Sequence, residues 1–191
     1  MRRVHVLYAL PLVLAVLSLG PGQAQAAGEG RLLVSDLSFD QDGEGIYVTM
    51  RIDGAFSPQV RDMLQSGVPL SFQYTIKVRK KRTLWFARTV VSRQIETRAK
   101  LDALSKEYTL ETLAEGQLLD ARASADSAAV MEHLSHLVRV KIAEPGDLEA
   151  GETYDLQAKA KVLDEFVLYV IPWAIETPWQ SKVLLPTPAA R

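Results

Sequence analysis

The feature that most constrains the fold of this sequence is an alternation of apolar and polar residues with a period of two. It recurs in four segments, at 46–52, 70–79, 138–142 and 154–162. Successive side chains of a strand point to opposite faces, so each segment predicts a strand with one apolar and one polar face. One wet face is typical of an antiparallel sheet, because a parallel sheet is covered on both faces. Residues 33–39, 85–95 and 179–185 are predicted as further, less regular strands, and Asp42-Gly43 and the basic run before Trp85 as hairpin connections.

Two segments break this rhythm and predict short helices. Ser57-Pro58 supplies an N-cap and a first-turn proline, and Gly67 can end the helix with a positive φ. The second segment runs from Asp126 to about Leu137, with an apolar stripe that includes Val130 and Leu134. Both stripes are narrow, so we expect these helices to lie over an edge or an end of the sheets.

The predicted fold is therefore mainly β: an antiparallel β-sandwich, immunoglobulin-like in architecture, of about seven to eight strands with two short helical insertions. A curled open sheet is the alternative. The chain has 191 residues, 48% of them hydrophobic and 24% charged, which is typical of a globular protein. No repeat or long linker divides it. We expect residues 27–191 to form a single β-rich domain.

The first 26 residues have the pattern of a secretory signal peptide. Arg2 and Arg3 precede an apolar stretch from Val6 to Leu19, and Ala24-Gln25-Ala26 supplies small residues for cleavage before Ala27. The apolar stretch is shorter than the roughly 20 residues that span a bilayer, so a retained anchor is the less favoured alternative. We expect a periplasmic or secreted protein, and the absence of cysteine excludes a lipid anchor and disulfides.

The charge balance argues against nucleic-acid binding, because the formal net charge is −1. One concentrated basic run stands out as a possible interaction patch, with an aromatic residue just beyond it. It could contact an acidic partner or anionic lipid headgroups, or it could be a solvated hairpin tip that protects an edge strand. The patch comprises Lys77, Arg79, Lys80, Lys81, Arg82 and Trp85.

Other candidate sites are weaker. His133 and His136 are spaced to share one face of a helix, with Glu132 pointing away, but a third metal ligand is missing, so we interpret them as partly exposed surface histidines. Residues 40–44 resemble the start of a calcium loop, but Arg51 stands where a bidentate glutamate is required, which favours an acidic hairpin turn. The apolar run 166–175 is too short to span a membrane and predicts a buried segment.

Catalytic motifs give no positive signal. The sequence has no Gly-x-Ser-x-Gly elbow, no thiol and no phosphate-binding glycine loop after a strand. A pair of carboxylates could still meet in space, which keeps a hydrolase as an alternative. We predict no catalytic residues, cofactor or metal, and a protein that is not an enzyme.

Three stretches resemble a family of secreted bacterial proteins, domain-of-unknown-function family 4390. The first runs from Phe56-Ser57-Pro58 to Ser71-Phe72, the second is 101–110, and the third begins at Tyr154-Asp155-Leu156 and ends at Trp179-Gln180-Ser181. The resemblance implies no activity and no catalytic residues. Some members are encoded beside membrane sensor kinases, which implies a role in envelope signalling.

The combined expectation is a non-enzymatic binding module of the cell envelope. Its expected partner is an envelope protein and not a nucleic acid, and an accessory role to a membrane sensor kinase is the more specific expectation. A peripheral protein that contacts anionic membrane through the basic hairpin is the first alternative, and a hydrolase with a carboxylate pair is the second.

Overall fold

The computed structural model describes residues 31–81, 87–164 and 174–186, which form ten strands and two helices. The strands β1 to β4 are Leu33–Gln41, Ile46–Asp53, Leu70–Lys80 and Arg88–Leu101. The strands β5 to β7 are Tyr108–Ala114, Gln117–Ser124 and His136–Ala143, and β8 to β10 are Tyr154–Asp164, Ala174–Glu176 and Gln180–Leu184. The helices are α1, Pro58–Gln65, and α2, Ser127–Ser135.

The strands form two antiparallel sheets in a sandwich-like arrangement, which confirms the predicted fold class. The small sheet has the order β1-β2-β7, and the large sheet has the order β10-β8-β3-β4-β5-β6, with β9 also paired to β8. At the centre of the large sheet, β3 pairs with β4 on one side and with β8 on the other, over its full length in both cases.

The apolar sides of the alternating strands β2, β3 and β8 are buried, whereas Val138 in the fourth alternating segment is 63% exposed beside an irregularity in the pairing of β7. Phe72, Tyr74 and Ile76 of β3 are fully buried, as are Val48 and Met50 of β2. Burial of a large apolar side chain contributes about 1.5–3 kcal/mol relative to exposure. The period of two therefore fixes which face of β3 and β8 is left for solvent.

Both helices occur where the sequence predicts them. Ser57 Oγ accepts a hydrogen bond from the Val60 N–H in α1, and Asp126 Oδ1 accepts one from the Ala128 N–H in α2. However, α2 ends at Ser135, before the predicted Leu137, and the chain passes directly into β7. The Leu134 carbonyl near the end of α2 accepts hydrogen bonds from the Tyr74 and Thr97 hydroxyls of the large sheet. These bonds replace the backbone bond that a longer helix would make.

The predicted strands are confirmed in position within the described residues, but three observed strands, β5, β6 and β9, were not predicted. Strands β5 and β6 form a hairpin joined at Glu115 and Gly116, both of which have positive φ. Every residue of β6 except its last is exposed. A strand with no buried face carries no period-two signal, which explains why β6 was missed. Strand β5 buries Tyr108 and Leu110, but its alternation breaks before the buried Leu113, and β9 has only three residues. Most of the apolar run 166–175 lies outside the described residues.

Candidate functional site

The predicted basic patch begins on the central strand of the large sheet. Alternation along β3 directs Lys77 and Arg79 to the face opposite the buried Ile76 and Val78, and therefore to the solvent face of the sheet. In β8, Gln157 lies opposite Lys77 and Asp155 lies opposite Arg79. The strand geometry thus holds these two cations on a rigid surface rather than on a loop.

The other members of the predicted patch do not share that face. Lys80 has the opposite parity, and its Nζ lies 2.8 Å from Glu149 Oε2 and 3.6 Å from Glu152 Oε1. The hydrogen bond to Glu149 raises the pKa of Lys80. Lys81 is exposed just after β3, and its backbone N–H donates to the Thr153 carbonyl at 3.3 Å. Arg82 and Trp85 lie outside the described residues.

A different tryptophan, Trp179, lies beside one lysine of β3 and one lysine of β8. Trp179 lies between β9 and β10, and its ring centroid is 5.1 Å from Lys77 Nζ and 5.4 Å from Lys159 Nζ. Ammonium groups within about 6 Å of an aromatic ring are attracted by the negative face of the ring. Trp179 is nevertheless 42% exposed, so two lysines hold a large aromatic side chain at the surface without burying it.

An ion-pair network adjoins Trp179 on the same face of the sheet. Lys159 Nζ lies 3.0 Å from Glu176 Oε2, and Lys161 Nζ lies 3.9 Å from Glu176 Oε1. The hydrogen bond from Lys159 lowers the pKa of Glu176, so this carboxylate stays charged. We call the surface formed by Lys77, Arg79, Lys159, Lys161, Glu176 and Trp179 the Trp179 patch. Its cations outnumber its acids even when the neighbouring Asp155 is included.

A second cluster of charged side chains lies on the solvent face of the small sheet. Arg51 of β2 donates to both carboxylate oxygens of Glu132, at 2.8 and 2.7 Å, and Glu132 Oε1 lies 2.6 Å from His136 Nδ1. The hydrogen bond from Arg51, followed by that from His136, lowers the pKa of Glu132 to about 2. The expectation that Glu132 points away from the histidines is therefore wrong for His136.

His133 and His136 do not share one face, contrary to the expected helical geometry. The helix ends between them, so His136 belongs to β7 while His133 turns toward the large sheet. His133 is 8% exposed, and its Nε2 lies 2.9 Å from the Glu111 carbonyl oxygen. Burial lowers the pKa of His133. The interpretation of His133 as a partly exposed surface residue is wrong.

The acidic segment 40–44 includes the end of β1 and the hairpin turn to β2, where an acidic turn was predicted. Asp42 Oδ1 accepts hydrogen bonds from the Glu44 and Gly45 N–H groups at 2.8 and 3.0 Å, which closes the turn. Asp40 and Asp42 both form ion pairs with Arg139 of β7, whose guanidinium lies 4.3 Å from the Tyr47 ring centroid. Both carboxylates are thus paired with a cation of the protein itself.

A cavity of about 350 Å³ lies at the end of the large sheet where β3 begins. Glu111 is the one carboxylate among its lining residues, beside the cations Arg98 and Lys100. Arg98 Nε lies 2.7 Å from Glu96 Oε1. This cavity does not contain the facing carboxylate pair of a glycosidase-type mechanism. Its lining residues are Pro69, Leu70, Arg98, Ala99, Lys100, Thr109 and Glu111.

Two further properties concern the described part of the chain. It contains no group of three or more histidine, aspartate or glutamate side chains that could hold a metal ion. None of its helices is long and apolar enough to cross a membrane.

Part of the Trp179 patch could be predicted from the sequence. Lys159 and Lys161 alternate with Ala158 and Ala160 in a predicted strand, so their exposure followed from the pattern. The pairing of β3 with β8, which places Lys77 near Lys159, joins segments about 80 residues apart and has no local signal. Trp179 lay within a predicted strand, and nothing in its sequence neighbourhood indicated contact with these lysines.

These features define a small two-sheet antiparallel β protein that presents an aromatic and basic surface on the solvent face of its large sheet. The model of a protein family described as "Domain of unknown function (DUF4390)" matches residues 30–181. The match covers well over half of the chain, so the chain belongs to this family, as the resemblance in the sequence indicated. No curated protein and no solved structure matches the chain significantly.

Proposed function

We propose that this protein is a non-enzymatic binding module of the cell envelope that recognises an acidic partner protein through the Trp179 patch. The observation that carries the proposal is the position of Trp179, which two lysines fix while it remains 42% exposed. Tryptophan is enriched among the residues that dominate protein interfaces, because a rigid aromatic ring buries a large area at small entropic cost. A ring that is already positioned loses little freedom when a partner covers it.

The charge of the patch supports an acidic partner. Lys77, Arg79, Lys159 and Lys161 lie on one face of adjacent strands, whereas the chain as a whole carries a net charge of −1. A local excess of positive charge on an otherwise acidic protein attracts and orients an acidic surface. Because the cations project from paired strands, the pattern of charges is fixed before binding.

The test of this proposal is crosslinking in living cells, followed by mass spectrometry of the captured proteins. Wild-type protein is compared with Trp179→Ala and with the double variant Lys77→Ala/Lys159→Ala. Lys141→Ala is the matched control, since it removes one exposed lysine from the other sheet. We expect one envelope protein to be recovered with the wild type and the control, and lost with both patch variants.

Two results would contradict the proposal. Recovery of the same partner with all four proteins would show that the Trp179 patch is not the binding surface. Binding to vesicles that contain anionic lipid, lost at high salt and unaccompanied by a protein partner, would favour a peripheral membrane role instead. A membrane sensor among the captured proteins would support the accessory signalling role.

The envelope location rests on the sequence of residues 1–26 and is part of the same proposal. The mass of the protein isolated from cells tests it, because cleavage before Ala27 leaves a chain that begins at that residue. Recovery of the uncleaved chain from the cytoplasm would contradict the envelope location.

A further inference from the structure

Strand β6 is an exposed edge of the large sheet with little of the usual protection against further pairing, since it carries only one acid, one base and one pairing irregularity near its start. It is the last strand in the order β10-β8-β3-β4-β5-β6, and no other strand of the described residues pairs with its outer side. It spans eight residues without proline or lysine, and Leu118 and Leu119 are 58% and 59% exposed. Edge strands normally carry charges, prolines or bulges that prevent pairing with another chain.

The other sheet edges have such protection. Strand β1 contains an irregularity in its pairing at Asp36, which has a φ of 50°, and β7 contains one at Arg139, which has a φ of 52°. Strand β10 is five residues long and carries Lys182, whose Nζ donates to the Leu37 carbonyl of β1. The single irregularity of β6 lies near its start, so residues 120–124 are regularly paired to β5.

We propose that β6 pairs antiparallel with β6 of a second copy of this chain, so that the large sheets of two subunits form one continuous sheet. Identical antiparallel strands related by a two-fold axis place one residue opposite its own copy. When that residue is Ala121, Asp120 lies opposite Arg122 of the partner subunit, and Arg122 lies opposite the partner's Asp120. Cross-strand neighbours of opposite charge stabilise a sheet.

The charges select this register over its neighbours. Moving the centre by one residue would place Asp120 opposite its own copy in one direction and Arg122 opposite its own copy in the other, which is destabilising. The register centred on Ala121 also pairs residues 118–124, seven of the eight residues of β6, with the same residues of the second copy. Neither Asp120 nor Arg122 forms an ion pair within the described part of the chain, and both side chains are exposed. This inference is independent of the proposed function.

Charge reversal tests the pairing through the sedimentation of the purified protein over a range of concentrations. We expect the wild type to dimerise, and Asp120→Arg and Arg122→Asp each to weaken the dimer by about tenfold or more, because two attractive pairs become repulsive. The double variant Asp120→Arg/Arg122→Asp exchanges both charges and should dimerise like the wild type. An equimolar mixture of the two single variants should form a heterodimer, since all four facing charges are then complementary.

A crosslink tests the register directly, because the chain contains no cysteine. Ala121→Cys places a thiol opposite its own copy, within the distance that a disulfide can bridge, and should yield a covalent dimer under mild oxidation. Ala123→Cys is the matched control on the same face of β6: its thiol would lie opposite Leu119 of the partner subunit and should remain reduced.

Three results would overturn the proposal. The first is a wild-type protein that remains monomeric at all concentrations. The second is a dimer that both single charge reversals leave intact, which would place the interface elsewhere. The third is equal crosslinking of the Ala121→Cys and Ala123→Cys variants. Circular dichroism of each variant checks that the exposed substitutions leave the fold unchanged.

Discussion

Arg51 in β2 holds Glu132 in α2 through two parallel hydrogen bonds, with Nη1 2.8 Å from Oε2 and Nη2 2.7 Å from Oε1. The pair fastens the helix to the solvent face of the small sheet, and His136 completes it from the first residue of β7. Two parallel bonds fix the orientation of the carboxylate as well as its distance, which a single-point ion pair does not do.

The first prediction concerns the energetic coupling of this pair. Arg51→Met, Glu132→Gln and the double variant form a double-mutant cycle measured by urea denaturation. We expect a favourable coupling at low salt that shrinks at 1 M salt, because the pair is partly exposed and therefore screened. The Lys141–Glu144 pair, which is more exposed and makes a single contact, should show a weaker coupling. Equal coupling for the two pairs would contradict the importance of the two-point geometry.

The second prediction is the acid sensitivity of the same contact. The hydrogen bond from Arg51 lowers the pKa of Glu132 in the folded protein from the ordinary glutamate value of 4.5 to about 2. Between pH 4.5 and pH 2 the folded state therefore binds fewer protons than the unfolded state. The stabilisation by this contact is lost as the pH falls from about 4.5 toward 2. The difference in unfolding free energy between wild type and Glu132→Gln should shrink over that range in urea titrations. A constant difference would contradict the assignment.

The third prediction concerns the end of α2. The Tyr74 hydroxyl donates to the Leu134 carbonyl, as does Thr97 Oγ1 at 3.0 Å, and all three residues are buried. Helix C-termini leave carbonyls without intrahelical partners, and here two hydroxyls of the large sheet satisfy one of them. Tyr74→Phe and Thr97→Val should each cost about 1 kcal/mol.

The double variant Tyr74→Phe/Thr97→Val distinguishes this arrangement from two independent hydrogen bonds. With both hydroxyls removed, the buried carbonyl has lost both of its side-chain donors, which adds roughly 1–3 kcal/mol beyond the sum of the single losses. The free energies of unfolding of the three variants measure this excess. Strictly additive losses would show that the two hydroxyls do not share one acceptor.

The sequence predicted the strands and helices whose signal is local. The alternation in 70–79 placed the buried and solvent faces of β3, and Ser57 with Pro58 marked the start of α1. The end of α2 was predicted two residues late, because Leu137 continues the apolar stripe but is buried in β7 instead. Periodicity does not distinguish an apolar residue that packs in the helix from one that packs in the strand that follows it.

The candidate site was only partly predictable for a related reason. The exposure of Lys77 and Arg79 followed from their parity in β3, but Lys80 was grouped with them by proximity in sequence, although its parity turns it toward Glu149 and Glu152. The contact of Lys77 with Trp179 spans about 100 residues of sequence. Such contacts are set by strand order, which the sequence pattern does not specify.

The fourth prediction concerns close packing at the turn between β1 and β2. A Cβ on Gly45 would lie 2.9 Å from the Ala143 carbonyl oxygen and 2.6 Å from Lys141 Cε, whereas a Cβ on Gly43 would meet nothing within 4 Å. Gly45→Ala should therefore destabilise the protein by about 1–3 kcal/mol through overpacking. Gly43→Ala in the same turn is the matched control and should be neutral or slightly stabilising. Thermal denaturation of both variants tests this, and equal effects would contradict the close approach at Gly45.

The last prediction is a loss of stability between neutral and mildly acidic pH that depends on His133. Burial lowers the pKa of this imidazole, whose Nε2–H donates to the Glu111 carbonyl in the neutral form. Below the ordinary histidine pKa of about 6.5, the unfolded chain binds a proton that the folded protein resists, so the free energy of unfolding falls as the pH decreases. His133→Gln keeps an N–H donor but cannot be protonated, so its unfolding free energy should fall less than that of the wild type between pH 7 and pH 5. Above pH 7.5 the two proteins should depend on pH equally, because the histidine is neutral in both the folded and the unfolded state. Identical profiles across the whole range would show that His133 is not the group responsible.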